Sequence, residues 1–293
     1  MDATFQLEIN SNLSAEESEL LTDIGYALEN GTVFKQDYAA AVTIYNAAAE
    51  EGNARAMNNL AWLIHNGRGI KKDIKKAIEI YECAAANGNT TAMVNLGNIY
   101  EDGQLGAADY KKAFTWYKAA AESGDRKGLF NFANCYHFGQ GVKKNYKKAF
   151  AIFKMLADEG YNKAAFYVGL YAQQGLGMKR DYDLARKYYR LGVLEGDAYC
   201  YCQLGVMYAL GQGVKKDAHA ALDYYMQAAE MGDALCYCNV AWLYESGELG
   251  EPDLQTAIKW YKKGAIRKEE HAIEALKRLN VPLKNKTTMD SNQ

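Results

Sequence analysis

The chain has 293 residues, 49% of them apolar, and carries 34 lysines and arginines against 36 aspartates and glutamates. The apolar share excludes wholesale disorder, and the near-neutral charge argues against a dedicated binder of nucleic acid or of a membrane surface. No run of roughly 18 apolar residues predicts a membrane-spanning helix, and the first residues lack the basic and apolar segments of a secretory signal. We therefore expect a cytoplasmic protein.

The first predicted helix follows a short N-terminal extension at residues 1–14. Ser14 and Glu17 have the spacing of a capping box and predict a helix near Ala15–Asn30. Seven repeats then fill residues 15–265, at about 18–53, 54–89, 90–125, 126–161, 162–197, 198–233 and 234–265. Residues 266–282 predict a helix that covers the last repeat, and the polar residues 283–293 predict a disordered tail.

The repeats are visible because positions 36 residues apart carry the same residue type. One such column is Gly31, Gly67, Gly103, Gly139, Gly175, Gly211 and Gly247, and another is Tyr45, Tyr81, Tyr117, Phe153, Tyr189, Tyr225 and Tyr261. In residues 54–89 the apolar spacing predicts a helix that Gly67 ends, followed by a second helix that Asp73 caps and Gly88 ends. Each repeat is therefore predicted to be a pair of helices.

The repeat sequence resembles the Sel-one-like repeat (SLR) family, a relative of the tetratricopeptide repeat. One copy is LGVMYALGQGVKKDAHAALDYYMQAAEMGD at residues 204–233, and the resemblance covers residues from about 19 to 265. It implies an all-α fold: a right-handed α/α superhelix (solenoid) of seven 36-residue helix–turn–helix repeats with a terminal capping helix. It also implies a scaffold for protein complexes, without naming a ligand.

The resemblance further implies that the first helix of each pair lines a concave face. Residues at matching positions of this face vary between repeats, whereas the packing positions do not. We expect a protein or peptide partner to bind Asn58, Trp62, Asn98, Phe130, Asn134, Phe138, Phe166, Leu170, Tyr199, Val206, Leu210 and Trp242. The alternative is that superhelical curvature buries some of these residues against the next repeat.

Three columns of the first helices, each with one residue per repeat, have different interpretations. The column Thr22, Asn58, Val94, Phe130, Phe166, Cys202 and Cys238 is assigned to the open face. The column Asn59, Asn95, Asn131, Tyr167, Gln203 and Asn239 is polar in almost every repeat and is predicted to be structural, bonding the following turn. The column Glu29, His65, Glu101, His137, Gln173, Ala209 and Glu245 is predicted to be solvated rather than metal-binding.

The cysteines include two Cys-x-Cys pairs, Cys200 with Cys202 and Cys236 with Cys238. Residues two apart diverge by about 200° on a helix, so neither pair converges on one metal ion. Cys202 and Cys238 occupy equivalent points of neighbouring repeats, about 10 Å apart and beyond disulfide reach. We therefore predict buried, reduced thiols, no metal and no cofactor.

The sequence thus predicts a monomeric, non-enzymatic scaffold or adaptor that recognises a protein or peptide. Two alternatives come from the family resemblance. One is a penicillin-binding, β-lactamase-like or peptidoglycan-related enzyme, and the other is a secreted effector that binds a host protein. The glycine-rich loops such as Gly139–Lys144 follow helices and recur, so we interpret them as turns rather than phosphate-binding loops.

Overall fold

A computed structural model describes residues 13–282, which form helices and contain no strand. The helices are α1 (Ala15–Asn30), α2 (Tyr38–Glu50), α3 (Ala54–Asn66), α4 (Ile74–Ala86), α5 (Thr90–Glu101), α6 (Tyr110–Glu122), α7 (Arg126–Phe138), α8 (Tyr146–Asp158), α9 (Lys163–Gln174), α10 (Tyr182–Leu194), α11 (Ala198–Leu210), α12 (Ala218–Glu230), α13 (Ala234–Ser246), α14 (Leu254–Ile266) and α15 (Glu270–Arg278). The predicted all-α fold of seven helix pairs with a further C-terminal helix is confirmed. The predicted tail at residues 283–293 and most of the predicted N-terminal extension lie outside the described residues.

The ends of the helices follow from the residues that were identified in the sequence. At the start of α1, the Glu17 amide donates to Ser14 Oγ at 3.2 Å and the Ser14 amide donates to the Glu17 carboxylate at 2.8 Å, as a capping box requires. Asp73 accepts a hydrogen bond from the Lys76 amide at 3.0 Å and so begins α4. Gly67, with φ of 67°, adopts the left-handed conformation that ends α3.

The chain divides into two compact units, Met1–Ile152 and Phe153–Gln293. We call the first helix of each repeat the A helix and the second the B helix. In the first unit α1 to α6 each pack against the next helix in the chain, and in the second unit α9 to α14 do the same. In addition α15 contacts both α13 and α14, so it covers the last repeat. Since packing is with sequence neighbours, each unit is built as a repeat protein.

The core of each repeat contains an aromatic ring of the B helix, a tyrosine except at Phe153, and in four repeats the ring lies against a glycine of the A helix. The rings of Tyr45 and Tyr189 are fully buried. A Cβ atom added at Gly25 would lie 2.6 Å from Tyr45 Cε1, and one added at Gly205 would lie 2.6 Å from a ring carbon of Tyr225. Glycine at these A-helix positions therefore leaves room for the rings. No helix within residues 13–282 is both long and apolar enough to cross a membrane.

Candidate functional site

Four members of the column that begins at Glu29 on the A helices bind buried tyrosines of the B helices. The tyrosine hydroxyl donates to the residue sixteen positions earlier at 2.6–2.8 Å in four repeats. The pairs are Tyr45 with Glu29, Tyr117 with Glu101, Tyr189 with Gln173 and Tyr261 with Glu245. The prediction that this column is merely solvated is therefore wrong: these side chains join the two helices of one repeat. Burial, reinforced by the hydrogen bond to Glu101, raises the pKa of Tyr117 well above its usual value.

Another predicted column of the open face is largely buried between successive A helices. Its buried members are Thr22, Asn58, Val94, Cys202 and Cys238. Asn58 is only 8% exposed, so its assignment to an open partner-binding face is wrong. At two junctions the reason is a stagger between neighbouring A helices, which brings Asn58 and Cys202 onto the residues 37 positions later, Asn95 and Asn239. Asn95 thus donates to Asn58 Oδ1 at 3.0 Å, and the Asn58 amide donates to Asn59 at 3.1 Å.

The recurring asparagine column is structural, as predicted, but its partner differs from the expected turn. Asn95 bonds the preceding A helix through Asn58, and Asn239 bonds it through Cys202 Sγ at 3.5 Å. The asparagine of this contact is kept at positions 95 and 239, whereas the residue opposite it changes from Asn58 to Cys202. This explains why variation in the sequence does not by itself mark an open surface.

The other predicted residues of the first unit differ in how accessible they are. Phe138 is 54% exposed, and Trp62 is half-buried with the Arg68 guanidinium 4.6 Å from its ring. Asn98 is half-buried and accepts a hydrogen bond from Tyr117 at 2.8 Å. Asn134 Oδ1 is buried without a hydrogen-bond partner among the described residues. Phe130, the last of the set, is half-buried.

The second unit places six of the predicted residues on its A helices, and we call this set the unit-2 face. They are Phe166 and Leu170 on α9, Tyr199, Val206 and Leu210 on α11, and Trp242 on α13. Tyr199 is 64% exposed, Leu210 60% and Trp242 44%, while the other three are half-buried. The Phe166 and Tyr199 rings lie 5.8 Å apart, so they form a continuous aromatic surface.

A polar cavity of about 330 Å³ lies beside Val206 in the second unit. Its lining includes four glutamines, Gln173, Gln174, Gln203 and Gln212, together with Arg180 and Tyr182. Gln173 donates to Gln212 at 2.8 Å, which fixes both amides. Amide groups both donate and accept hydrogen bonds, so a wall of this kind matches the requirements of a peptide backbone.

All six cysteines are free thiols, and five of them are buried. Cys83 is exposed, so the prediction that every thiol is buried is wrong at that position. Burial raises the pKa of Cys135 to about 12, which keeps this thiol neutral near pH 7. Cys202 Sγ, Cys236 Sγ and a carboxylate oxygen of Asp233 all lie within 4.8 Å of one another.

The family assignment rests on a match along almost the whole repeat region. The family model of the Sel1 repeat matches residues 18–53, 54–89, 90–125, 127–161, 162–197, 198–233 and 234–267. The chain belongs to the Sel1 repeat family. Sel1 repeats form a helical scaffold, in agreement with the helix pairs described above.

Solved structures of other Sel1 repeat proteins are similar to this one. A Sel1 repeat protein from Oxalobacter formigenes is 30% identical with a TM-score of 0.74, over 83% of this chain and 96% of that one. A protective antigen of uropathogenic Escherichia coli with an SLR fold is 27% identical with a TM-score of 0.77, over 92% of this chain. This chain spans 59% of the antigen's length. Yeast Tom70, at 15% identity and a TM-score of 0.50, shares the fold alone. No curated protein matches this chain.

The contact between Cys202 and Cys236 in this Sel1 repeat protein was not predicted from the sequence. Residues 202 and 236 are 34 apart, which is neither the two-residue spacing within one helix nor the 36-residue spacing between equivalent positions of neighbouring repeats. The stagger between A helices brings them together. The recurring spacing of the asparagine column carries no sign of this stagger, so only the packed helices reveal it.

Proposed function

We propose that this Sel1 repeat protein is a non-enzymatic scaffold that binds a segment of a partner protein on the A helices, with the unit-2 face as its main contact surface. The observation that carries the proposal is the exposure of Tyr199, Leu210 and Trp242 on consecutive A helices. Exposed aromatic and apolar side chains on neighbouring helices are typical of an interaction site.

The chemistry of the unit-2 face suits a peptide segment with apolar side chains. Tyrosine and tryptophan are enriched at the energetically important positions of protein interfaces, because they bury a large area with few rotatable bonds. The glutamine-lined cavity beside Val206 adds donors and acceptors for the peptide backbone. Apolar anchors beside fixed amides therefore support recognition of an extended or helical segment rather than of a small ion.

The titratable side chains support a non-catalytic role. The glutamates that face the B helices accept hydrogen bonds from buried tyrosines, as Glu101 does from Tyr117 at 2.6 Å. Burial raises the pKa values of Cys135 and Cys200, which disfavours the nucleophilic thiolate at both positions. The tyrosines that line the core are held in the neutral form for the same reason, as Tyr189 is.

The proposal is tested by selecting peptides from a phage-displayed library on the immobilised full chain. The double variant Tyr199→Ser/Leu210→Ser removes two exposed anchors, so we expect the selected peptides to bind it at least 10-fold more weakly. A loss of about 1.4 kcal/mol or more corresponds to this factor. The melting temperature of the variant should stay within about 2 °C of that of the parent, because the replaced side chains are mainly solvent-exposed.

Leu194→Ser is the matched control, since Leu194 is also exposed but lies at the end of a B helix. This variant should keep the parental affinity. Equal binding of the peptides to the parent and to the Tyr199→Ser/Leu210→Ser variant would contradict the proposal. A large fall in melting temperature of the double variant would assign the two side chains to the core instead.

A further inference from the structure

Two thiols and a carboxylate meet between the sixth and seventh repeats, where Cys202 lies on α11 between Tyr199 and Val206 of the unit-2 face. Cys202 lies in α11, Cys236 lies in the first turn of α13, and Asp233 immediately precedes α13 as its N-cap. Both cysteines are buried and Asp233 is half-buried. One ligand atom from each of the three residues lies within 4.8 Å of the other two.

We propose that Cys202, Cys236 and Asp233 bind a thiophilic divalent cation, and we assign it as Zn²⁺. Zinc binds thiolates at about 2.3 Å and carboxylate oxygens at about 2.0–2.2 Å, usually in a tetrahedral arrangement. Ligand atoms around such an ion are separated by roughly 3.5–3.8 Å, because the tetrahedral angle fixes their spacing. The observed upper limit of 4.8 Å is close to this, so small side-chain movements close the site.

The donor set selects the metal. Two sulfur ligands favour zinc over magnesium and calcium, which prefer oxygen-only sites. The three protein ligands leave a fourth tetrahedral position for water or for the side-chain oxygen of a neighbour.

Groups around the cluster are placed to support charged ligands. The Asp233 carboxylate accepts hydrogen bonds from the Leu235 amide at 2.9 Å and the Cys236 amide at 3.4 Å. The Asn239 amide approaches Cys202 Sγ at 3.5 Å. These donors offset part of the negative charge of two thiolates and a carboxylate, and they orient the ligands as outer-shell groups do in metal sites.

Equivalent positions in the other repeats show that packing alone does not require this combination. At the positions equivalent to Cys202, Asp233 and Cys236, the junction of the second and third repeats has Asn58, Asn89 and Ala92. The junction of the third and fourth repeats has Val94, Asp125 and Gly128 at these positions. Within residues 13–282 the cluster at the sixth and seventh repeats is the one group of three such ligands that converges. The same comparison supplies substitutions that the fold already accepts elsewhere.

The experiment uses the full chain, reduced with a phosphine, freed of metal with a chelator, and titrated with Co²⁺ as a spectroscopic probe for the zinc site. We expect one equivalent of Co²⁺ to produce a thiolate-to-cobalt charge-transfer band, and Zn²⁺ to displace it. The ion joins α11 to α13 and binds only the folded chain, so one equivalent of Zn²⁺ should also raise the melting temperature.

Cys202→Val and Cys236→Ala place in the site the residues found at Val94 and Ala92, so both variants are expected to fold. Each should lose the charge-transfer band and the Zn²⁺-dependent rise in melting temperature. Asn239→Ala should weaken binding by about 10-fold or more, as loss of an outer-shell hydrogen bond does.

Cys200→Ala is the matched control, because Cys200 lies two residues from Cys202 and alanine occupies the equivalent position at Ala164. Its titration should equal that of the parent. Absence of the charge-transfer band from the reduced parent chain would overturn the proposal. Retention of the band by either Cys202→Val or Cys236→Ala would overturn it as well.

Discussion

The junction of the second and third repeats and the junction of the sixth and seventh repeats use one backbone arrangement for different chemistry. In the first unit, Asn95 donates to Asn58 at 3.0 Å. In the second unit, the corresponding Asn239 approaches Cys202 Sγ at 3.5 Å. An amide pair at one junction is thus replaced by a thiol and an amide at the other. The difference teaches that the contact position between A helices is fixed by the fold, whereas the pair that occupies it is free to change.

The third and sixth repeats differ in the same way at the contact within the helix pair. The Tyr117 hydroxyl, which carries one proton, lies 2.6 Å from a carboxylate oxygen of Glu101 and 2.8 Å from Asn98 Oδ1. The residue opposite Tyr225 at the position of Glu101 is Ala209, whose side chain has no hydrogen-bond acceptor. The ring is therefore kept for packing in both repeats, while the hydrogen bond to the A helix is present in only one of them.

The largest expected effect is a difference in stability between the phenylalanine variants of Tyr117 and Tyr225. Tyr117→Phe removes the hydrogen bond to the Glu101 carboxylate, so we expect the free energy of unfolding to fall by about 1.5–3 kcal/mol. Tyr225→Phe keeps the packed ring and loses no bond to position 209, so we expect a change below about 0.5 kcal/mol. Urea unfolding followed by tryptophan fluorescence measures both values.

Ala209→Gln is the reciprocal variant, because glutamine occupies the equivalent position at Gln173 and accepts from Tyr189 at 2.7 Å. It should stabilise the sixth repeat by about 0.5–1.5 kcal/mol when Tyr225 is present and should lose this benefit in Tyr225→Phe. Similar losses of stability in Tyr117→Phe and Tyr225→Phe would show that the hydroxyl groups do not stabilise the protein through the hydrogen bond to the A helix.

The next expected effect separates the two junctions. Asn58→Ala leaves the Asn95 amide without its buried acceptor, so we expect it to cost about 1–3 kcal/mol. Cys202→Val keeps an apolar side chain of similar volume, and in metal-free protein it should cost less than about 1.5 kcal/mol. Urea-unfolding midpoints of the metal-free variants make the comparison. If Cys202→Val loses more stability than Asn58→Ala, the contact between Asn58 and Asn95 is not the stronger of the two.

The smallest expected effect concerns Glu269, which stands 36 positions after Asp233 and caps α15. Burial raises its pKa, but hydrogen bonds from Cys238 at 2.8 Å, from the His271 ring at 2.7 Å and from the Ala272 amide at 2.8 Å together lower the pKa below the ordinary value of 4.5. The unfolded chain therefore takes up the proton first. The stabilisation by Glu269 is present above pH 4.5 and is lost as the pH falls through the lowered pKa.

Hydrogen-exchange protection factors of α15 measure this acid dependence. They should decrease below pH 4.5 in the parent chain and depend less on pH in Glu269→Gln, whose side chain does not titrate. An identical acid dependence in the parent and in Glu269→Gln would assign the effect to another carboxylate.

The sequence was sufficient for the parts of the fold that each repeat determines on its own. The left-handed glycine at Gly67, the cap at Asp73 and the capping box at Ser14 all depend on residues a few positions away. Periodicity also located the tyrosine column and the glycine column that ends the A helices, because the same packing and the same turn recur in nearly every repeat. Local rules and recurrence therefore predicted the helices and their pairing.

The contacts between repeats could not be predicted in the same way. Asn58 was predicted to be exposed for partner binding because its column varies, yet it is buried against Asn95 of the next A helix. Alignment of equivalent positions compares residues 36 apart, whereas the stagger of the A helices joins residues 34 or 37 apart. Cys202 and Cys236 were overlooked for the same reason. A single sequence contains the pairs, but the offset that joins them arises only when two helices pack.

The glycines that end the A helices also limit how far the structural effect of an insertion in an A helix extends along the chain. One residue inserted into α11 would rotate every later side chain of that helix by about 100°. The rotation would stop at Gly211, where the helix ends, because Asp217 begins α12 independently. The effect of an inserted residue is thus confined to one helix pair. Duplication of a whole 36-residue block adds a helix pair and leaves the spacing of the others unchanged. Evolution can therefore alter the number of repeats more readily than their length.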